Sequence, residues 1–288
     1  MSHISIFIEL TRLKKPIGYM LLFWPCSWGL TIVYDFQNGV EQYIYYLFLF
    51  FSGSVLMRSA GCIVNDIIDK DFDKSVTRTK NRPIASGKIS ITRSLLYSIL
   101  LCFVAFLVLI NFNKLTIMLA IASMPFAFTY PLMKRYTYWP QLFLGATFNY
   151  GLLLGWISIS GNLELAPFIF YLGAIFWTLG YDTIYGFQDV EDDEIIGVKS
   201  TSIKFKKNPK IFLSTCYFIF TLLFIVTGIK LDFNNYFFIG TMAVFFHLSV
   251  IQIMNFNKKD REKCLKIFKS NNFLGLIILI CILVGKLG

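Results

Sequence analysis

Ten of the seventeen acidic residues fall in two short stretches, Asp66, Asp69, Asp71 and Asp73, then Asp182, Asp189, Glu191, Asp192, Asp193 and Glu194. At about 100° per residue, Asn65, Asp69 and Asp73 step by about 40° and form one stripe of a helix, with Arg58 within about 20° of Asn65 on the same face. Asp182, Asp189 and Asp193 likewise span about 40°, and Tyr185 stands close by. Clustered carboxylates repel one another and protonate unless cations hold them. Stripes that offer only oxygen donors suit hard cations such as Mg²⁺, which binds through one or two carboxylates and completes its shell with water and phosphate oxygens. Arg78 and Arg82, four apart and just past the first stripe, are fixed cations of the kind that grip phosphate.

The elements that must position these residues are set by hydropathy. The 288-residue chain is 56% hydrophobic and 15% charged, with a mean hydropathy of +0.62, against about 25% charged in an ordinary soluble domain. Its 31 Phe and 15 Tyr carry more apolar surface than one water-soluble domain can hide, so lipid is the expected solvent. Disordered, collagen-like and disulfide-scaffold classes are excluded. Nine apolar runs read as spanning helices: Ile17–Tyr34, Tyr43–Val64, Leu95–Ile110, Leu115–Tyr130, Gln141–Ile159, Leu165–Tyr181, Ile211–Gly228, Tyr236–Met254 and Phe273–Val284. The last is short and needs the amphipathic stretch from about Cys264 to cross a bilayer.

Nine spans sort the charges. Of the 27 Lys and Arg, 24 lie at the N-terminus, at the end of helix 2 or in loops 2–3, 4–5, 6–7 and 8–9, and only Lys114, Lys230 and Lys286 fall on the other face. Because basic residues resist translocation, this places the N-terminus and both acidic clusters in the cytoplasm. The net charge of +10 is therefore topological, and no nucleic-acid partner is expected. Five of the six cysteines sit in apolar runs without CxxC spacing, and His3 and His247 have no partners at ligand spacing, so none is expected to bind metal. The first residues lack a cleavable signal and an Arg-rich presequence, which favours a bacterial inner membrane over a mitochondrial one. Carboxylates, Mg²⁺ and arginines at a membrane surface point to a diphosphate whose remainder is lipid. An ion pathway is the competing class, although such pathways usually place their polar groups at the bilayer midplane.

The run RSAGCIVNDIIDKDFDKSVTRTKNRPIASGKIS from Arg58 resembles the first signature of the membrane-embedded aromatic prenyltransferases, the UbiA family, with NDxxDxxxD as Asn65, Asp66, Asp69 and Asp73. YDTIYGFQDVEDDEIIGVKST from Tyr181 resembles the second, with DxxxD as Asp189 and Asp193. RLKKPIGYMLLFWPCSWGL, YPLMKRYTYWPQLFLGATFNYG and FKSNN extend the likeness over nearly the whole chain. The resemblance implies an all-α polytopic protein of nine transmembrane helices around a central cavity, with residues 1–288 as one domain. It implies Mg²⁺-dependent transfer from a polyprenyl diphosphate to an aromatic ring, with 4-hydroxybenzoate of ubiquinone biosynthesis as the nearest acceptor and another aromatic or quinone precursor as the alternative. By the same resemblance Asn65, Asp69, Asp73, Asp189 and Asp193 hold Mg²⁺, and Asp66 and Asp182 are neighbours in or around its ligand shell. Arg78, Arg82 and Lys199 contact the diphosphate, while Arg58, Tyr185, Lys134 and Arg135 shape the cavity and acceptor site. The catalytic carboxylates are then Asp69, Asp73, Asp189 and Asp193, with Asp189 or Asp193 assisting the acceptor phenol. Arg135 is the expected partner of the acceptor carboxylate, because a guanidinium makes a two-pronged fit that Lys cannot copy.

The two motif cores, Asn65–Asp69–Asp73 and Tyr185–Asp189–Asp193, are phased alike after even-numbered helices, which suggests an old internal duplication.

Overall fold

The structure, a computed structural model, describes residues 3–287; of the 1–288 stretch expected to form one domain, Met1, Ser2 and Gly288 lie outside it. Every regular element among the described residues is helical. In chain order these are α1 (His3–Thr11), α2 (Ile17–Val33), α3 (Val40–Ile68), α4 (Lys70–Ser75), α5 (Ile91–Leu109), α6 (Lys114–Thr129), α7 (Met133–Tyr136) and α8 (Pro140–Ser160). They continue as α9 (Leu165–Gly186), α10 (Val190–Ile195), α11 (Thr201–Lys204), α12 (Pro209–Lys230), α13 (Asn235–Phe246, running on as a π-helical stretch His247–Met254) and α14 (Arg261–Leu287).

Eight helices are long and apolar enough to cross a membrane, and Ile17–Val33, at 17 residues, is a shorter ninth. The expected spans are therefore all helical. The last one gains its length as anticipated, because the amphipathic stretch and the apolar run fuse into one 27-residue helix. Side chains cap the helix starts where orphan backbone donors would otherwise be left: Ser90 accepts from the Arg93 N–H, and Asn113 from the Thr116 N–H.

α2 and α8 approach closely enough that a Cβ on Gly29 would collide with the Leu152 carbonyl, and one on Gly155 with the Cys26 carbonyl. The apolar core then fills with large rings from several helices, including Trp28, Phe170, Trp177, Phe220, Phe224 and Phe237. Buried polar side chains act as ties because an unpaired one is costly in a dry interior. Asn149 of α8 donates to the Ala174 carbonyl and Thr178 hydroxyl of α9 at 3.0 and 2.7 Å. The Trp24 and Trp28 indoles of α2 donate to Asn272 and the Gly275 carbonyl of α14. Lys286 at the far end of α14 donates to the last carbonyls of α2, Ile32 and Tyr34 among them. Outward faces stay apolar, with Leu96, Phe103 and Phe126 about two-thirds exposed or nearly so. That surface suits lipid rather than water.

Candidate active site

Both acidic motifs are built the same way. α3 ends at Ile68, Asp69 adopts a non-helical φ −92°, ψ 4°, and α4 resumes at Lys70. Hydrogen bonds of helical spacing nevertheless run through the junction, from Asp69 N–H to the Asn65 carbonyl at 2.9 Å and from Asp73 N–H to the Asp69 carbonyl at 2.8 Å. The stripe therefore survives the break. In the second motif Asp189, at φ −119° and ψ 7°, opens α10 after α9, and Asp193 N–H donates to its carbonyl at 2.8 Å.

The segment between α4 and α5 carries the cations across. Arg78 donates from Nε to both Asp189 oxygens at 2.9 Å, from Nη2 to Oδ2 at 2.5 Å and from Nη1 to the Tyr185 hydroxyl at 3.3 Å. Its Cζ also lies 5.5 Å from the Tyr185 ring centroid. Arg82 Nη1 donates to Asp73 Oδ2 at 2.8 Å and Oδ1 at 3.0 Å. The Thr77 N–H reaches Asp192 at 3.3 Å. Lys134 of α7 pairs with Asp69. Burial pushes Asp193 up to about 6, with the charge of Asp189 adding to the rise and Lys134 and Arg78 opposing it. Burial likewise raises Asp73, against the pull of Arg82.

The structure thus brings together Asn65, Asp69, Asp73, Asp189, Asp193, Arg78, Arg82, Lys134 and Tyr185. Other expected residues go elsewhere. Asp66, one position past Asn65 and so about 100° around the helix, turns from the stripe and accepts from Arg12 Nη2 at 2.5 Å and Arg82 Nη1 at 3.1 Å. It anchors arginines rather than joining the stripe. Lys134 stands on the carboxylates, not at the acceptor position. Arg135, its neighbour on the same turn, points outward, donating to the Ile68 carbonyl at 2.7 Å and stacking over Phe72 at 5.2 Å. Arg135 is exposed, does not line the cavity between α2, α3, α5, α6 and α8 and has its guanidinium engaged at the end of α3, so the structure does not place it in the acceptor role expected for it. Its contact instead holds the end of α3 from which Asp69 follows. Lys199 lies aside from the carboxylates, its ammonium donating to the Tyr136 carbonyl at 3.3 Å and its backbone N–H to the Lys134 carbonyl at 2.9 Å. Arg12 was not singled out in the sequence; the signal was a buried Asp66 that requires a counter-charge.

A cavity of about 250 Å³ opens between α2, α3, α5, α6 and α8. Arg58 and Tyr130 line it, and most of its wall is apolar, with Met57, Met124, Phe128 and Phe148 among the lining residues. The Arg58 guanidinium sits 5.2 Å from the Phe148 ring centroid, and Asp182 and Tyr130 are its electrostatic neighbours. Asp182 thus neighbours a half-buried guanidinium that lines the cavity.

The donor set can be tested against a divalent ion. Among the described residues no three Asp, Glu, His or Cys side chains converge into a closed protein cage. Asp69 Oδ1, however, is buried without a hydrogen-bond partner, and Asp193 forms no ion pair among the described residues, whereas Asp189, Asp69 and Asp73 each form one. Open carboxylate oxygens on two facing motifs fit Mg²⁺, which takes few protein ligands and completes its shell from substrate phosphate and water.

The model of the UbiA prenyltransferase family matches residues 20–277. A mitochondrial 4-hydroxybenzoate polyprenyltransferase of Bos taurus is 42% identical over 98% of this chain and 75% of its own length. The protein of the same name from Homo sapiens is 41% identical over the same shares. Among solved structures, the apo form of a UbiA homolog from Aeropyrum pernix K1 superposes with a TM-score of 0.73 at 22% identity, covering 93% of this chain and 97% of that one. A UbiA homolog from Archaeoglobus fulgidus bound to GPP and Mg²⁺ gives 0.70 at 15% identity, covering 97% and 99%.

Proposed function

The chain belongs to the UbiA prenyltransferase family, and on that premise we propose that it is a Mg²⁺-dependent 4-hydroxybenzoate polyprenyltransferase. The observation that carries this reading is the joining of two distant acidic motifs by Arg78–Asp189 and by the Thr77 N–H on Asp192 in a chain whose half-buried Arg58 lines an apolar cavity. We read residues 1–288 as one membrane-embedded domain.

In the reaction the allylic C–O bond of the donor breaks, a C–C bond forms ortho to the phenol of 4-hydroxybenzoate, and the ring proton leaves. Asn65, Asp69, Asp73, Asp189 and Asp193 would hold Mg²⁺, which when bound would supply electrostatic stabilisation of the diphosphate leaving group. Arg78, Arg82 and Lys134 add fixed positive charge at that end, already oriented by their carboxylates. Aromatic faces lining the cavity stabilise the allylic cation by about 0.5–2 kcal/mol each. The apolar wall excludes water that would quench it. Asp193, which has no ion-pair partner among the described residues, is free to assist the phenol. Arg58 receives the acceptor carboxylate, because a buried carboxylate without a cationic partner costs several kcal/mol.

The test is steady-state kinetics with each substrate varied in turn. Arg58→Gln raises the KM for 4-hydroxybenzoate at least about 10-fold and leaves the donor KM nearly unchanged, whereas Arg135→Ala acts mainly through stability. An unchanged acceptor KM in Arg58→Gln removes Arg58 from the acceptor site. A panel of other phenolic acids and quinone precursors tests the alternative acceptor.

The protein is a multi-pass membrane protein. We place its N-terminus and both motifs together on the side of the membrane that retains basic loops, on the 24-to-3 distribution of basic residues; in a bacterial inner membrane that side is the cytoplasm. The mitochondrial names of its relatives favour the mitochondrial inner membrane as the second reading, and fractionation of the tagged chain in its own cell decides between them. Reporter fusions that put the segment between α3 and α5 and the segment between α9 and α12 on opposite sides would end the shared-site model.

A further inference from the structure

Asp66 Oδ1 is buried behind the first motif and receives two guanidiniums, Arg12 Nη2 at 2.5 Å and Arg82 Nη1 at 3.1 Å. The same Arg82 Nη1 lies 2.8 and 3.0 Å from the two oxygens of Asp73. Without Arg12, one guanidinium would serve both carboxylates. With it, two cations face two anions, and Arg82 keeps charge and donors to spare for a third partner.

Two further features suit this arrangement. Arg12 has φ 54°, and only one other non-glycine residue among those described, Asp232, is left-handed. Such a conformation is disfavoured for a side chain of this size and persists only where its surroundings hold it. The holding element is α1, whose Ile6 and Leu10 pack against Ile63, Ile84 and Ile89. Ile63 precedes Asp66 on α3, and Ile84 follows Arg82 by two residues. α1 therefore clamps both elements whose charges Arg12 balances.

We propose that Arg12 is a positioning residue for the donor: by neutralising Asp66 it leaves Arg82 held on Asp73 and available to the diphosphate. This rests on the prenyltransferase reading above. Arg12 itself acts through Asp66 and touches no reacting atom.

The experiment measures donor and acceptor KM separately and also titrates purified protein with inorganic pyrophosphate in the presence of Mg²⁺, following Tm. Arg12→Gln raises the donor KM, and the pyrophosphate concentration giving half the Tm gain, by about 10-fold, while the acceptor KM moves less than about twofold. Arg12→Lys, which keeps the charge and loses the fork, recovers part of the shift. In an Asp66→Asn background Arg12→Gln adds little, since its partner is gone. A lower ligand-free Tm with an unchanged pyrophosphate half-point overturns the proposal, because Arg12 then merely docks α1. An equal rise in both KM values overturns it too. If Arg12→Gln does not fold, Arg12→Lys alone decides, an unchanged half-point again counting against it. A wild type that binds pyrophosphate but prenylates no 4-hydroxybenzoate would overturn the functional reading and leave the Arg12 titration standing as its own test.

Discussion

In the first motif every buried carboxylate has a cation at ion-pair distance: Arg82 on Asp73, Lys134 on Asp69, and Arg12 with Arg82 on Asp66. In the second, Asp189 holds Arg78 and Asp193 holds none among the described residues. The backbones are nevertheless alike, each with an aspartate at a helix break and a second aspartate one turn later hydrogen-bonded to its carbonyl. Local spacing therefore sets the shape of each motif, while its charge state depends on what other segments bring. The guanidinium on Asp189 comes from the segment that follows the first motif. Neither motif is electrically complete alone.

The severest way to break this comparison is to remove a carboxylate from each side. Asp69→Asn and Asp189→Asn should each lower prenyl transfer by on the order of 10²–10³-fold or more with the protein still folded in the membrane, and EDTA should give the same loss. Near-normal turnover in one variant and none in the other would mean that the motifs work separately.

Cutting the tie between them has a smaller effect. Arg78→Ala leaves Asp189 beside Asp193 without its guanidinium, and loss of a charge-assisted pair of about 1.5–3 kcal/mol corresponds to a donor KM about 10–100-fold higher. Arg78→Lys should recover only part, since an ammonium cannot reproduce contacts to both Asp189 oxygens. A defect confined to the acceptor KM would refute the placement of Arg78 at the diphosphate.

What could be read in the sequence follows the same division. Apolar runs and the four-residue spacing of Asn65, Asp69 and Asp73 are local signals, and both the spans and the two stripes appear in the structure. Which cation meets which carboxylate is a tertiary matter. Arg12 looked like one more positive residue on the cytoplasmic face, yet it is committed to Asp66, 54 positions away. Side-chain chemistry singles out Arg135 over Lys134 as a carboxylate partner, yet the turn of α7 sends Lys134 to Asp69 and Arg135 to the Ile68 carbonyl. Asn271 accepts from the Trp177 indole and Gln252 amide in a buried network. Hydropathy marks such positions as buried and gives no partner for them.

The smallest effect, and the sharpest on the difference between the motifs, is a pH dependence of stability. Asp193 titrates near 6 in the ligand-free fold, above the carboxylate range of about 3.9 expected in an unfolded chain. The folded state therefore holds this proton more tightly than the unfolded state does. The resulting stabilisation is full below about pH 4 and is lost as pH rises through about 6. With Mg²⁺ removed, wild-type protein should lose about 1–3 kcal/mol of stability relative to Asp193→Asn between pH 4 and 7.5. Subtracting the two curves cancels the other carboxylates that titrate in the same window. Asp73→Asn is the matched control from the first motif: burial raises Asp73 as well, but Arg82 opposes the rise, and the substitution removes one of the two carboxylates that Arg82 holds, so the gain at pH 7.5 should be smaller than for Asp193→Asn. Mg²⁺ with pyrophosphate should favour the ionised form of Asp193 and shrink the wild-type loss. Melting curves across that range decide the matter, and a wild-type-minus-Asp193→Asn difference that stays flat with pH would show that the second motif is as well neutralised as the first.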